Sequence, residues 1–121
     1  MSWLDHHAEV ECCDVVTTGR VTGVPHEIEI WFGVSDGTMY LISGNGPGAD
    51  WYRNVLSTPD VVVKLAGERR TGRARDVLDP DERRRCGELM GRKYVWDGDA
   101  SIGLTYEAWC FEVPAIAIEF D

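Results

Sequence analysis

What this chain lacks narrows its chemistry before any motif is considered. Lysine is scarce: of the 12 basic residues only Lys64 and Lys93 are lysine, against 21 acidic residues, for a formal net charge of −9. Nucleic-acid phosphates need a basic surface, so nucleic acid is excluded as a main partner. Long apolar runs are missing too. Stretches such as Val61-Val62-Val63 fall far short of the roughly 20 residues that cross a bilayer, which predicts no integral membrane segment. The start, Met1-Ser2-Trp3-Leu4-Asp5-His6-His7, has neither a basic n-region nor an apolar h-region. It predicts a cytoplasmic protein without a signal peptide. Cysteine is limited to Cys12, Cys13, Cys86 and Cys110, with no C-x-x-C, as a reducing compartment allows. His6, His7, Cys12 and Cys13 match no zinc spacing, so no metal is expected. Conventional catalytic signatures are absent as well: there is no G-x-S-x-G, no H-E-x-x-H and no phosphate-binding G-x-x-x-x-G-K-[ST]. Gly44 to Gly48 lacks the full dinucleotide spacing and a βαβ context.

What is present fits one domain over residues 1–121, with 1–13 as a short N-terminal segment; hydrophobic residues make up 44%. Val15 to Thr18 reads as a short strand. His26 to Phe32 alternates cleanly, with His26, Ile28, Ile30 and Phe32 on one face and Glu27, Glu29 and Trp31 on the other. Ser35-Asp36-Gly37 is a hairpin turn signal, and Thr38 to Ser43 returns from it. Asp50 is placed to cap a short helix that pairs Trp51 with Val55 and Tyr52 with Leu56. Two strands follow, Val61 to Ala66 and Arg69 to Leu78, and the arginines of the second form a local basic patch. Asp79-Pro80-Asp81-Glu82 begins a helix with the stripe Cys86, Leu89, Met90 and Tyr94. Gly87 and Gly91 weaken that helix by about 1 kcal/mol each relative to Ala. A short helix within 102–109 and a closing strand from Val113 to Phe120 complete five or six strands and two or three helices. Tight turns favour antiparallel pairing. The expected class is mainly β with flanking helices, α+β, as a small barrel.

Two loops concentrate the remaining information: Thr17 to Pro25 and Ser43 to Asn54. Each is a glycine-rich turn with a basic residue, and a strand hairpin between them is expected to bring them to one edge. Such turns offer backbone N–H groups to an anion. Arg20 and Thr22 can meet a phosphate by charge and hydroxyl. Backbone at 44–46 and the helix start near Asp50 can do the same, and Trp31 and Trp51 offer flat surface for a ring system. A bound cofactor would then supply chemistry that the side chains do not.

These residues resemble the deazaflavin (F420)-dependent nitroreductase family. The family's T-T-G-R-basic-[ST]-G-x-P corresponds to Thr17 to Pro25. An aromatic pair follows at Trp31-Phe32, a D-G turn at Asp36-Gly37, a Ser/Gly loop at Ser43 to Gly46, and W-Y-x-N at Trp51 to Asn54. The likeness extends over roughly residues 14–120. It implies a split β-barrel of the FMN-binding, pyridoxamine 5′-phosphate oxidase-like kind, and a hydride transfer from reduced F420 to a nitroaromatic, quinone or enone acceptor. The resemblance assigns phosphate binding to Arg20 and Thr22 with help from His26. It assigns the ring to Ser43, Gly44 and Asn45 and the opposite wall to Trp51 and Asn54, and counts Trp31, Gly46 and Asp50 among the cofactor-binding residues. Tyr94, Trp96, Tyr106 and Trp109 are the candidates for the acceptor pocket, a tyrosine among them donating a proton. A homodimer is a further expectation. Val21 stands where the family carries a basic residue, and His26 where many members carry Arg. FMN as cofactor, or a non-catalytic module for lipid, haem or another apolar ligand, are the alternative readings.

Overall fold

A computed structural model describes residues 3–120. After a short helix α1 (Trp3–His6), β1 (Cys12–Thr18) and β2 (Pro25–Trp31) form a hairpin closed by the turn at 19–24. β3 (Gly33–Ser35) and β4 (Thr38–Ile42) form a second hairpin. Asp36 and Gly37 both have positive φ there, 52° and 77°, as its two-residue turn requires. Helix α2 (Asp50–Ser57) leads to the hairpin of β5 (Asp60–Leu65) and β6 (Glu68–Asp76). Then come α3 (Pro80–Lys93), α4 (Tyr106–Phe111) and β7 (Ala115–Phe120). One antiparallel sheet runs β2-β1-β5-β6-β7-β4-β3. The described residues thus hold seven strands and four α-helices, more than the five or six and two or three expected.

The sequence suggested that His26–Phe32 and Thr38–Ser43 pair with each other, and they do not. Phe32 interrupts the extended run, so Gly33–Ser35 is a separate strand that takes the hairpin. β2 pairs instead with β1 and ends one side of the sheet, while β4 lies near the other. The sheet curls until β2 meets β4 across an unpaired seam. This open seam makes the barrel split, and it brings the two glycine-rich loops together.

Alternation along each strand builds two cores. Val15, Phe32, Leu41, Val63, Ile116 and Ile118 point into the curl, which α2 closes with Tyr52 and Val55. On the other face, Tyr40, Ile42, Ala115 and Ala117 meet Cys86, Met90, Tyr94 and Trp109 of the α3–α4 layer. Leu56 is 48% exposed, so the expected Tyr52–Leu56 pair is not a core contact. Asp79 accepts from the Glu82 N–H at 3.0 Å and caps α3 as its spacing predicted. The glycines of α3 have a tertiary reason. A Cβ at Gly87 would strike the Cys110 carbonyl and the Phe111 ring, and one at Gly91 would meet the Tyr106 hydroxyl at 2.9 Å. Close approach of α4 thus offsets their helix cost.

Candidate functional site

The site begins at the β1–β2 turn. Gly19 lets the His26 ring lie over the backbone: a Cβ there would meet Nε2 at 2.9 Å. Arg20 follows and is fixed from several sides. Its guanidinium donates to Asn54 Oδ1 at 2.8 Å and to the Asp50 carboxylate at 3.1 Å. Its backbone N–H also reaches Asn54 Oδ1, at 3.2 Å. Asn54, 3% exposed, in turn donates to Thr17 Oγ1 at 3.2 Å. One buried amide thereby ties α2 to the phosphate-loop candidate. Thr22 accepts from the Val24 N–H at 3.3 Å, and its hydroxyl proton remains available on an exposed turn.

Asp50 is not the helix cap that the sequence suggested. Ala49 occupies the N-cap position, and Asp50 is the first helical residue. Its carboxylate pairs with Arg20 instead, a more favourable partner than a neutral N–H. Val21 is 88% exposed and contributes no charge. At this end Arg20 and His26 therefore share the cleft with the carboxyl groups of Glu27 and Asp50.

Three clefts continue from one another. The first, about 470 Å³, is lined by Arg20, Thr22, His26, Ile28, Asp50, Trp51 and Asn54 among others. The second, about 350 Å³, shares Ile28 and Trp51 with it and adds Gly44, Asn45, Trp96 and Trp109. The third, about 250 Å³, shares Glu29, Ile30, Ile42 and Trp109 with the second and adds Cys12 and Trp31. They form one groove along the seam, polar at one end and aromatic at the other.

The aromatic end is a packed stack. Trp31 lies on Tyr94 with centroids 4.4 Å apart and an interplanar angle of 1°. Trp96 and Trp109 meet Trp31 edge-on, with centroids 5.5 and 5.8 Å away. Such pairs add roughly 0.5–1.5 kcal/mol beyond area burial. Arg83 anchors α4, and with it Trp109, by donating to the carbonyls of Trp109, Cys110 and Val113. The indole N–H of Trp96 is buried with no hydrogen-bond partner among the described residues.

Four predicted residues lie outside the groove lining. Ser43 is fully buried, and its hydroxyl donates to the Gly46 carbonyl at 2.7 Å, shaping the glycine loop from below. Gly46, at φ 81°, provides the left-handed turn there. Tyr94 does not line the pocket: its hydroxyl receives the Phe32 N–H at 3.0 Å and donates to the Glu11 carbonyl at 2.6 Å. Burial pushes that phenol up to about 12. Tyr106 donates to the Gly91 carbonyl at 2.6 Å, and desolvation raises its pKa. Both hydroxyls thus bond main-chain carbonyls. Residues the sequence reading did not single out are Ile28, Ile30 and Ile42, which form the groove floor, and Cys12 at its far end. The β2 alternation contained a signal for the first two, since Ile28 and Ile30 share a face with His26.

Comparison with known proteins gives the chemistry. The F420H(2)-dependent quinone reductase family matches residues 9–100. The chain belongs to that family. This reductase uses coenzyme F420 and is an oxidoreductase, which sets aside both FMN and a non-catalytic module. Among solved structures, an F420-H2 dependent reductase is similar at 19% identity and TM-score 0.70, covering 91% of this chain and 95% of its own. A Bacteroides thetaiotaomicron protein described as a 5-nitroimidazole antibiotic resistance protein is 17% identical with TM-score 0.70, covering 98% of this chain and 78% of its own. A Listeria innocua protein described as a pyridoxamine 5′-phosphate oxidase is 17% identical with TM-score 0.68, covering 98% and 87%. The fold is thus the split barrel that the motifs implied. No curated protein matches at a significant level.

Proposed function

We propose that the reductase holds F420 along the seam groove and passes a hydride to a quinone, nitroaromatic or enone seated at the aromatic end. One observation carries this reading: a continuous groove with a fixed arginine at one end and a tryptophan cluster at the other. The residues suit the cofactor's parts. Arg20 and Thr22, with His26 when protonated, meet the phosphate. Ile28 and Trp51 form apolar walls for the ring, and Gly44 and Asn45 bring backbone close to it.

Reduced F420 supplies the hydride, so the chain needs no nucleophile. Its own residues hold and position. Arg20 is already locked by Asn54, so its charge needs no rearrangement to meet the phosphate. Trp109 and Trp31 exclude water from the acceptor end and give a flat ring a surface to stack on. With the Tyr94 and Tyr106 hydroxyls committed to carbonyls, the proton that accompanies the hydride comes from solvent. The likeness to a 5-nitroimidazole resistance protein supports nitro compounds as acceptors beside quinones.

The test is anaerobic oxidation of F420H2 by the purified protein with a naphthoquinone, a nitroimidazole and a cyclic enone in parallel. The reading expects turnover with at least one of the three and none in the Trp109→Ala variant. Turnover that persists unchanged in that variant would move the acceptor elsewhere. We also place the reductase in the cytoplasm, as its four free cysteines allow, and propose that it acts as a homodimer.

A further inference from the structure

Three tryptophans meet at the aromatic end of the groove, and one of them is held differently from the others. Trp31 is the last residue of β2, and Trp109 lies within α4. Trp96 sits on the connection between α3 and α4, half-buried, with the exposed Val95 and Asp97 on either side. We infer that Trp96 is a movable gate that sets which acceptors fit. Its ring fills the acceptor's place in the free protein and swings out when a flat, two-ring acceptor enters. The inference rests on the proposed seating of the acceptor at this end.

The orphaned indole carries the inference. Trp96 Nε1 is buried, and no described residue accepts its proton. Its ring neighbours are Trp31 and Trp109, each met edge-on with centroids 5.5 Å away. An indole has a donor and no acceptor, so neither neighbour can take the bond. A buried donor left unpaired loses its water and gains nothing in return, and such groups are rare in native structures. The ring itself gains from its two edge-on contacts. These effects oppose each other, so the closed position is only weakly favoured over one in which the N–H meets water.

The connection leaves the ring free to move. Tyr94 is fixed at one end, its N–H on the Met90 carbonyl and its hydroxyl on the Glu11 carbonyl. Asp99 is fixed at the other end by two backbone bonds with Leu104, at 2.7 and 2.9 Å. Between them, residues 95–98 make no backbone hydrogen bond among the described residues. Swinging a half-buried ring on this short loop therefore breaks none. Trp109, by contrast, is 5% exposed, and Arg83 clamps its own carbonyl and that of Val113. The place that Trp96 vacates is bounded by the Trp31 and Trp109 rings, and a fused two-ring system occupies it in the free protein. A naphthoquinone matches that outline. A single ring leaves a gap, and three fused rings overfill it.

The test follows the indole N–H resonances by NMR, with that of Trp96 identified by its loss in Trp96→Phe and that of Trp109 by its loss in Trp109→Phe. In the ligand-free protein the Trp96 N–H is expected to exchange with solvent roughly 10-fold faster than the Trp109 N–H, or more. Adding a naphthoquinone, with or without oxidised F420, is expected to move the Trp96 resonance downfield as the N–H leaves the ring cluster for water. Exchange as slow as that of Trp109 would overturn the gate. So would a titration that moves the Trp109 resonance and leaves that of Trp96 in place, an outcome that keeps the proposed acceptor seat. If neither resonance moves, the seat itself fails and the gate falls with it. Acceptor size gives a second arm, with thermal melting as a check that the variant folds. Trp96→Ala holds the gate open, so kcat/KM for an anthraquinone relative to a naphthoquinone is expected to rise on the order of 10-fold. An unchanged ratio would make Trp96 a fixed wall and overturn the inference.

Discussion

The two ends of the seam groove are built on opposite plans. At the phosphate end, a short exposed turn is held by a few directed hydrogen bonds that converge on the Asn54 amide. At the acceptor end, Trp31, Trp96, Trp109 and Tyr94 are held by mutual packing and by the α3–α4 layer beneath them. The first end contributes little to the core and, under the proposed placement of F420, governs affinity through charge. The second is part of the core and governs both stability and the shape offered to a substrate. Binding and folding can therefore be perturbed separately in one groove.

The contrast can be broken most forcefully at the aromatic end. Trp109 is 5% exposed and touches Trp31, Trp96 and Tyr94. Trp109→Ala is expected to cost about 3–5 kcal/mol in urea unfolding, together with loss of turnover. A change in turnover without loss of stability would detach the cluster from the core. An acid titration separates the ends from the rest of the fold. The Arg75 guanidinium, and secondarily the Tyr40 hydroxyl, hold the Glu82 carboxyl down at about 2, from an ordinary 4.5. Its folded value is the lower one, so its contribution is complete above pH 4.5 and is lost as pH falls toward 2. Glu82→Gln is expected to remove roughly 2 kcal/mol of stability at neutral pH and to flatten that acid limb, with F420 affinity unchanged.

Tyr94→Phe is a finer cut. It leaves the ring under Trp31 and removes the hydroxyl that serves Phe32 and Glu11. The expected loss is about 1–2 kcal/mol in stability, with kcat and its pH profile retained. A collapse of kcat at unchanged stability would reinstate the phenol as a proton donor. The smallest effect belongs to Asp50, whose side chain is 86% exposed beside Arg20. Asp50→Asn removes a carboxylate from the phosphate end and is expected to tighten F420 binding roughly 2–5-fold in equilibrium titration. Weaker binding would mean that Asp50 chiefly orients Arg20.

The two plans also explain what could be read from the residues in order. Strand alternation, the Asp36-Gly37 turn and the Asp79 cap are local, and the chain obeys them. Arg20, Thr22, Trp51 and Asn54, which the loop motifs named, line one cleft, because a short turn and one helix position them. The acceptor end was harder to read. Whether an aromatic faces a groove or a neighbour depends on how α3 and α4 settle on the sheet, which nothing local encodes. Tyr94 and Tyr106 were candidate donors, and their hydroxyls bond main-chain carbonyls. Ser43 likewise has the composition of a ligand and the burial of a loop support. The meeting of β2 and β4 was invisible for the same reason, since it arises from curl of the whole sheet.

In the proposed reading Arg20 is the fixed charge that anchors F420. The direct test is an F420 titration of the native protein and of Arg20→Ala, followed by tryptophan fluorescence. The native protein should give saturable quenching, and the variant the same final quench at roughly 10–100-fold higher cofactor concentration. An unchanged midpoint in the variant, or no quenching of the native protein, would contradict the placement of the cofactor in the seam groove.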